Sequence, residues 1–125
     1  MMHKDVFSWK ARIRSFRYAF NGIAEFLYHE HNTWIHLAAT IVCVILAFIA
    51  GVNTCEAIAL LFSIAFVWIT ELINTAIERI MDYITTERRQ EIKVIKDLAA
   101  AAVLVAAITA LVTGCIVFIP KFFYG

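Results

Sequence analysis

The sequence predicts an all-α integral membrane protein: an N-terminal amphipathic surface helix followed by three transmembrane helices. Three observations carry that expectation. First, 62% of the 125 residues are hydrophobic and the mean hydropathy is +0.79. Soluble domains use roughly 45–50% apolar residues, and a chain this short has too little interior to hide the excess. Second, uncharged apolar runs of about the 20 residues that a spanning helix needs recur along the chain. Third, glycine is scarce and proline occurs once, at Pro120, which suits continuous helix. The alternation expected of membrane β-barrel strands is absent.

The elements follow in order within a single expected domain. The surface helix covers about 7–29. There FSWKARIRSFRYAFNGIAEFLYHE sets Phe16, Phe20, Ile23, Phe26 and Leu27 at three- and four-residue steps, interleaved with Lys10, Arg14, Arg17 and Glu25. Such a helix lies on a membrane surface, or packs its apolar side on the protein. The spans are expected at about 32–51, 56–82 and 93–119. The first contains WIHLAATIVCVILAFIAGVN and ends at the turn residues Gly51-Val52-Asn53-Thr54. The second starts from the uncharged AIALLFSIAFVWIT and reaches Ile80 if Glu71 and Glu78 are tolerated. The third, LAAAAVLVAAITALVTGCIVFI, runs to Pro120 and Lys121. Its small residues, Ala99 to Ala102 with Ala106 and Ala107, allow close helix approach in lipid. Three short spans bury little against one another, so association between chains is expected.

Charge sets orientation and excludes some functions. Lys4, Lys10, Arg12, Arg14 and Arg17 precede Trp34, and Arg79, Arg88, Arg89, Lys93 and Lys96 lie between the second and third spans. The turn at 51–55 has none. By the positive-inside rule the N-terminus and the 79–96 segment are cytoplasmic. A formal net charge of +1 gives no field that would gather nucleic acid. Cys43, Cys55 and Cys115 have no paired spacing and read as buried small hydrophobes. His29 and His31 flank Glu30 without partners at zinc spacing. The polar, basic start, MMHKDVFSWKARIRSFRY, does not read as a signal peptide.

One stretch conflicts with the apolar pattern. In ELINTAIERIMD, residues 71–82, Glu71, Asn74 and Glu78 recur at i, i+3 and i+7, with Asp82 continuing the line. They share one helix face. A charge at mid-span costs roughly 2.5–3.5 kcal/mol against lipid, so this face must meet protein or water. Interhelical hydrogen bonds explain Asn74 alone; three carboxylates on one stripe call for cations, protons or a metal. Lys96, Asp97 and Glu30 are placed to meet Glu78 at the cytoplasmic interface, with Glu71 slightly deeper. Carboxylates and a lysine at headgroup level suit magnesium-assisted phosphoryl transfer. A deeper carboxylate can take the proton of a lipid hydroxyl. The four glycines are isolated, so neither a P-loop nor a protein-kinase glycine loop is present.

From about Arg14 to Phe118 the chain resembles the small prokaryotic integral-membrane diacylglycerol kinase / undecaprenol kinase family. The resemblance rests on Glu71-Leu-Ile-Asn74-Thr-Ala-Ile-Glu78 with Asp82, and on Lys96-Asp97 followed by small residues. Ser15-Phe16-Arg17-Tyr18-Ala19-Phe20-Asn21-Gly22, Glu30-His31-Asn32 and Ile35-His36 add to it. It implies transfer of the ATP γ-phosphate to a lipid hydroxyl with Mg²⁺, in a homotrimer of the bacterial inner membrane with sites between subunits. Glu71 matches the general base and Asn74 its polar neighbour. Glu30 and Glu78 match the metal carboxylates. Arg14, Tyr18, Glu30, Glu78, Glu87, Arg88, Arg89, Lys96 and Asp97 match ATP contacts, and Glu71, Asn74 and Ala100 lipid-substrate contacts. The N-terminal arginine of some members corresponds to Arg12 or Arg14. Where members often carry a His-Pro pair before the third span, this chain reads ERRQEIKVIKD. The pattern Glu30-x-Asn32-x-x-Ile35-His36 resembles the undecaprenol-kinase branch, which favours undecaprenol over diacylglycerol as substrate. Two other readings stay open at this level: a small oligomeric transporter with Glu71 as proton or cation carrier, and a scaffold whose polar stripe joins subunits.

Overall fold

The structure is a computed structural model and describes residues 7–124; Lys4, used above for orientation, lies outside them. The described residues form four α-helices: α1 (Trp9–His29), α2 (Asn32–Ala50), α3 (Thr54–Ile84) and α4 (Gln90–Ile119). The last three are long and apolar enough to cross a membrane. The all-helical class and the three apolar spans after an N-terminal helix therefore agree with the sequence. The chain divides into two compact units, one through Ile35 and one from His36 onward.

In the first unit, Ser8 caps α1 by accepting from the Ala11 N–H at 3.4 Å. Arg12 sits 5.4 Å above the Phe7 ring. Of the expected apolar stripe, Phe26 is buried and Leu27 half-buried, whereas Phe16 and Phe20 are exposed. At the C-terminal end, Glu30 leaves the helix in an extended conformation while its N–H donates to the Phe26 carbonyl. The Thr33 hydroxyl, fully buried, donates to the same carbonyl at 3.0 Å. One oxygen thus ties the end of α1 to the first turn of α2, with Glu30 and His31 as the joint.

The second unit is an antiparallel arrangement of α2, α3 and α4. Gly51, at φ +65, ends α2, its N–H and that of Val52 both donating to the Ala47 carbonyl. Glycine takes this left-handed conformation without a Cβ penalty. Asn53 and Glu56 then form a reciprocal capping box, each side chain accepting from the other's N–H at 2.9 Å. That cap is why α3 starts before the uncharged run at Ala57. At 1.5 Å per residue, α3 and α4 each measure about 45 Å, beyond the ≈ 30 Å of a bilayer's hydrocarbon. Each must carry its end turns into the headgroup region or water.

α3 and α4 approach most closely. The seam on α4 is a stripe of buried or half-buried Ala99, Val103, Ala106, Ala110, Gly114 and Val117, mostly small side chains that permit the approach. Ion pairs hold both ends of this pair: Lys96 Nζ to Asp82 Oδ1 at 2.6 Å, and Lys121 Nζ to Glu56 Oε1 at 3.0 Å. α4 ends at Ile119, and residues Pro120–Tyr124 follow it as a wider π-helical turn, since a proline nitrogen that cannot donate displaces the hydrogen-bond register. One expectation is corrected. Cys55 and Cys115 are exposed rather than buried, with only Cys43 partly covered. They lie on outward helix faces, where the membrane, not a core, receives apolar groups. All three thiols are free.

Candidate active site

The polar stripe on α3 meets two different surroundings. Near its middle, Glu71 Oε1 lies 2.7 Å from His36 Nε2 on α2, with only 14% and 23% of the two side chains exposed. One turn further along α2, Thr40 donates its hydroxyl to the His36 carbonyl at 2.7 Å. That hydroxyl accepts from Trp68 Nε1 of α3 at 2.9 Å. The pairs 36–71 and 40–68 advance in opposite directions along the two helices, as an antiparallel pair requires. They answer the cost of a mid-span carboxylate with a partner from the facing helix.

One and two turns from Glu71, Asn74 Nδ2 donates to Glu78 Oε1 at 3.2 Å. The Asn74 carbonyl oxygen is buried with no hydrogen-bond partner. It lies beside an apolar hollow lined by Ile73, Ile77, Ile95, Leu98, Ala99 and Ala102. An unpaired buried acceptor of this kind costs about 1–3 kcal/mol and marks a place where a donor belongs.

Beyond Glu78, the end of α3, the connection 85–89 and the start of α4 enclose a groove of about 500 Å³. Asp82, Glu87, Arg88, Arg89, Lys93, Lys96 and Asp97 line it. Three of its cations are already paired: Lys96 with Asp82, Lys93 with Asp97 at 2.7 Å, and Arg89 with Glu87 at 3.0 Å. These side chains are 36% to 71% exposed. Ion pairs so exposed are weak, roughly 0.2–1 kcal/mol, so a polyphosphate can compete for the cations. Thr85 Oγ1 accepts from the Glu87 N–H at 3.0 Å and shapes the connection. Arg79, Lys93 and Lys96, counted above with the basic segment between spans, belong to α3 and α4; the connection itself is short.

Of the residues singled out in the sequence, Glu87, Arg88, Arg89, Lys96 and Asp97 converge on this groove. Glu71, Asn74 and Glu78 occupy the stripe leading to it. Ala100 is exposed on α4, beside the buried Ala99. Arg14, Tyr18 and Glu30 belong to the first unit: the first two are exposed on α1 and Glu30 is at its end. Two residues gain weight from the structure. Asp82 is the partner of Lys96, and His36 is the partner of Glu71. A signal for His36 was available: one polar residue inside an uncharged span is a functional candidate by default.

No three His, Cys, Asp or Glu side chains converge among the described residues. The carboxylates are hard oxygen donors in ones and twos. That fits Mg²⁺, usually bound through one or two carboxylates plus substrate phosphates and water.

The family model described as prokaryotic diacylglycerol kinase matches residues 17–118. This chain belongs to the prokaryotic diacylglycerol kinase family. It is therefore a multi-pass membrane protein and a lipid kinase, which decides against the transporter and scaffold readings. Over 108 residues it is 35% identical to the undecaprenol kinase of Bacillus subtilis (strain 168), covering 86% of this chain and 88% of that one. It is 33% identical over 107 residues to a diacylglycerol kinase of Synechocystis sp., covering 85% of this chain and 61% of the relative. Against the diacylglycerol kinase of Escherichia coli (strain K12) the identity is 31% over 104 residues, covering 83% and 85%.

Proposed function

We propose that this family member transfers the γ-phosphate of ATP to the hydroxyl of undecaprenol in preference to diacylglycerol, with Glu71 as general base. The observation that carries the reading is the placement of Glu71. It is a half-buried carboxylate at mid-span, held by His36, on the stripe that leads through Asn74 and Glu78 to the basic groove. At 1.5 Å per residue Glu71 stands about 16 Å from Asp82 along α3. The acceptor hydroxyl thus belongs at the lipid end of the stripe and the nucleotide at the Lys96 end.

In the proposed step the lipid O–H bond breaks and its proton passes to the free oxygen of Glu71. The lipid oxygen attacks the γ-phosphorus, the bond to the bridging β–γ oxygen breaks, and ADP leaves. Asn74 is the polar neighbour of Glu71 on the stripe, and its amide holds Glu78 Oε1. Lys96 neutralises phosphate charge, and Arg88, Arg89, Glu87 and Asp97 border the nucleotide. Glu30 and Glu78 would hold Mg²⁺, which would supply charge neutralisation to the phosphates. Arg14 and Tyr18 would be further ATP contacts, as the family resemblance implies, and Ala100 would leave room for the lipid. The working unit is a homotrimer in the bacterial inner membrane, with the N-terminus and the 85–89 connection in the cytoplasm, where ATP is.

The lipid preference rests on the higher identity to the relative named undecaprenol kinase and on the Glu30-x-Asn32-x-x-Ile35-His36 pattern. The test is ATP-dependent phosphorylation in detergent–lipid micelles with Mg²⁺, offering each lipid separately, with Glu71→Gln in parallel. Wild type should prefer undecaprenol. Glu71→Gln should assemble normally and lose about 10²- to 10⁴-fold in turnover, the scale of a general base. Preference for diacylglycerol would overturn the lipid assignment; an active Glu71→Gln enzyme would overturn the role of Glu71.

A further inference from the structure

We infer that His36 is a positioning residue for the kinase reaction: it holds one oxygen of Glu71 and leaves the other aimed at the lipid hydroxyl. The inference rests on the reading of Glu71 as base and adds the group that makes a mid-span carboxylate usable.

The geometry points one way. The 2.7 Å separation of His36 Nε2 and Glu71 Oε1 is a short hydrogen bond between two largely covered side chains. A carboxylate in this setting has two oxygens and a rotatable arm. Without a partner it would turn toward whichever donor is nearest, the Asn74 amide included. An imidazole N–H on Oε1 removes that freedom. The imidazole is itself held at its backbone, because the Thr40 hydroxyl donates to the His36 carbonyl and is anchored by the Trp68 indole. Thr40 and Trp68 therefore set how far α2 stands from α3 one turn away from the pair, and so how far His36 must reach. Around them the cleft between the helices is lined mainly by apolar side chains, Ala39, Cys43, Ile64 and Val67 among them, and the Trp68 donor in it is already spent on Thr40. In this arrangement the donor N–H faces Glu71, and His36 does not touch the reacting atoms.

A base displaced by about 1 Å can lose roughly 10²-fold in rate without loss of substrate binding. The expected signature is thus a fall in kcat with the KM for ATP unchanged. The experiment compares His36→Leu, His36→Gln and His36→Asn with wild type, measuring kcat and both KM values in lipid–detergent micelles, with assembly checked by size. Glutamine places an amide N–H about where Nε2 stands; asparagine places its amide nearer Nδ1 and falls short of Glu71. His36→Gln should retain most of the turnover, while His36→Asn and His36→Leu should lose about 10²-fold in kcat. In a Glu71→Gln background none of the three should lower turnover further.

If asparagine and glutamine behave alike, His36 serves only as a polar helix contact and the inference falls. It also falls if His36→Leu, properly assembled, keeps its kcat, or if the losses add to that of Glu71→Gln. Should His36→Leu fail to assemble, the glutamine–asparagine comparison still decides. A fully active Glu71→Gln enzyme would instead sink the underlying reading of Glu71, whatever the His36 variants do.

Discussion

Replacing Asp82 by Asn should tighten ATP binding. Lys96 Nζ is 2.6 Å from Asp82 Oδ1, and the two side chains are 36% and 66% exposed. A nucleotide that uses Lys96 must therefore displace Asp82 from it. An ion pair this exposed is worth about 0.2–1 kcal/mol, so releasing the lysine should lower the ATP dissociation constant by about 1.4- to 5-fold. Removing a negative charge from the groove also reduces repulsion of the phosphates, which acts in the same direction. Because the groups are exposed, the gain should shrink as salt rises and the Debye length falls to about 3 Å near 1 M. The assay is equilibrium nucleotide binding in lipid–detergent micelles at low and high salt, with Lys96→Met as the opposite case, expected to weaken binding. Weaker ATP binding by Asp82→Asn would refute the reasoning and make Asp82 part of the nucleotide or metal site. A tightening that ignores salt would mean that the effect is not electrostatic release.

Three further predictions concern the scaffold. Ala106→Leu forces extra volume into the α3–α4 seam and should cost about 1–3 kcal/mol. The unfolding midpoint in micelles should fall, whereas Ala107→Leu, on the exposed side, should leave it unchanged; equal midpoints would place the seam elsewhere. Thr33→Val removes the hydroxyl that ties α2 to the Phe26 carbonyl, which keeps the Glu30 N–H as a donor. The loss should be about 1 kcal/mol, read as hydrogen exchange around residues 26–33 faster by about fivefold; unaltered exchange would show that the joint does not depend on this bond. Lys121→Met breaks the ion pair with Glu56, far from the groove. It should lower the unfolding midpoint and leave kinase turnover as it was; a drop in turnover would mean that the far end of the hairpin is coupled to the site.

The helices were legible because each leaves a local mark. An uncharged run long enough to span identifies α2, α3 and α4, and interleaved phenylalanines and arginines identify α1. The ends were less legible. α3 starts at Thr54 because Asn53 and Glu56 cap each other, and helical structure continues through Pro120 because the register can widen. The stripe of Glu71, Asn74 and Glu78 was legible as well, since periodicity assigns residues to a face. Its partners were not. Asp82 reads in sequence as one more acid on the line, and only the hairpin shows it holding Lys96. Asp97, adjacent to Lys96 in sequence, is instead held by Lys93, because i and i+4 are neighbours on a helix and i and i+1 are not.

By itself, the sequence determined that this protein is helical, that it belongs in a membrane, and that one face of one span must find polar company. Those are consequences of composition and period, which every residue expresses through its own helix. The tertiary structure decided which residues supply that company: His36 for Glu71 across α2 and α3, Asp82 for Lys96 and Glu56 for Lys121 across α3 and α4. Such pairings depend on the register and separation of helices joined by turns. Small side chains along the seam and a few polar anchors set both, and no local pattern encodes either.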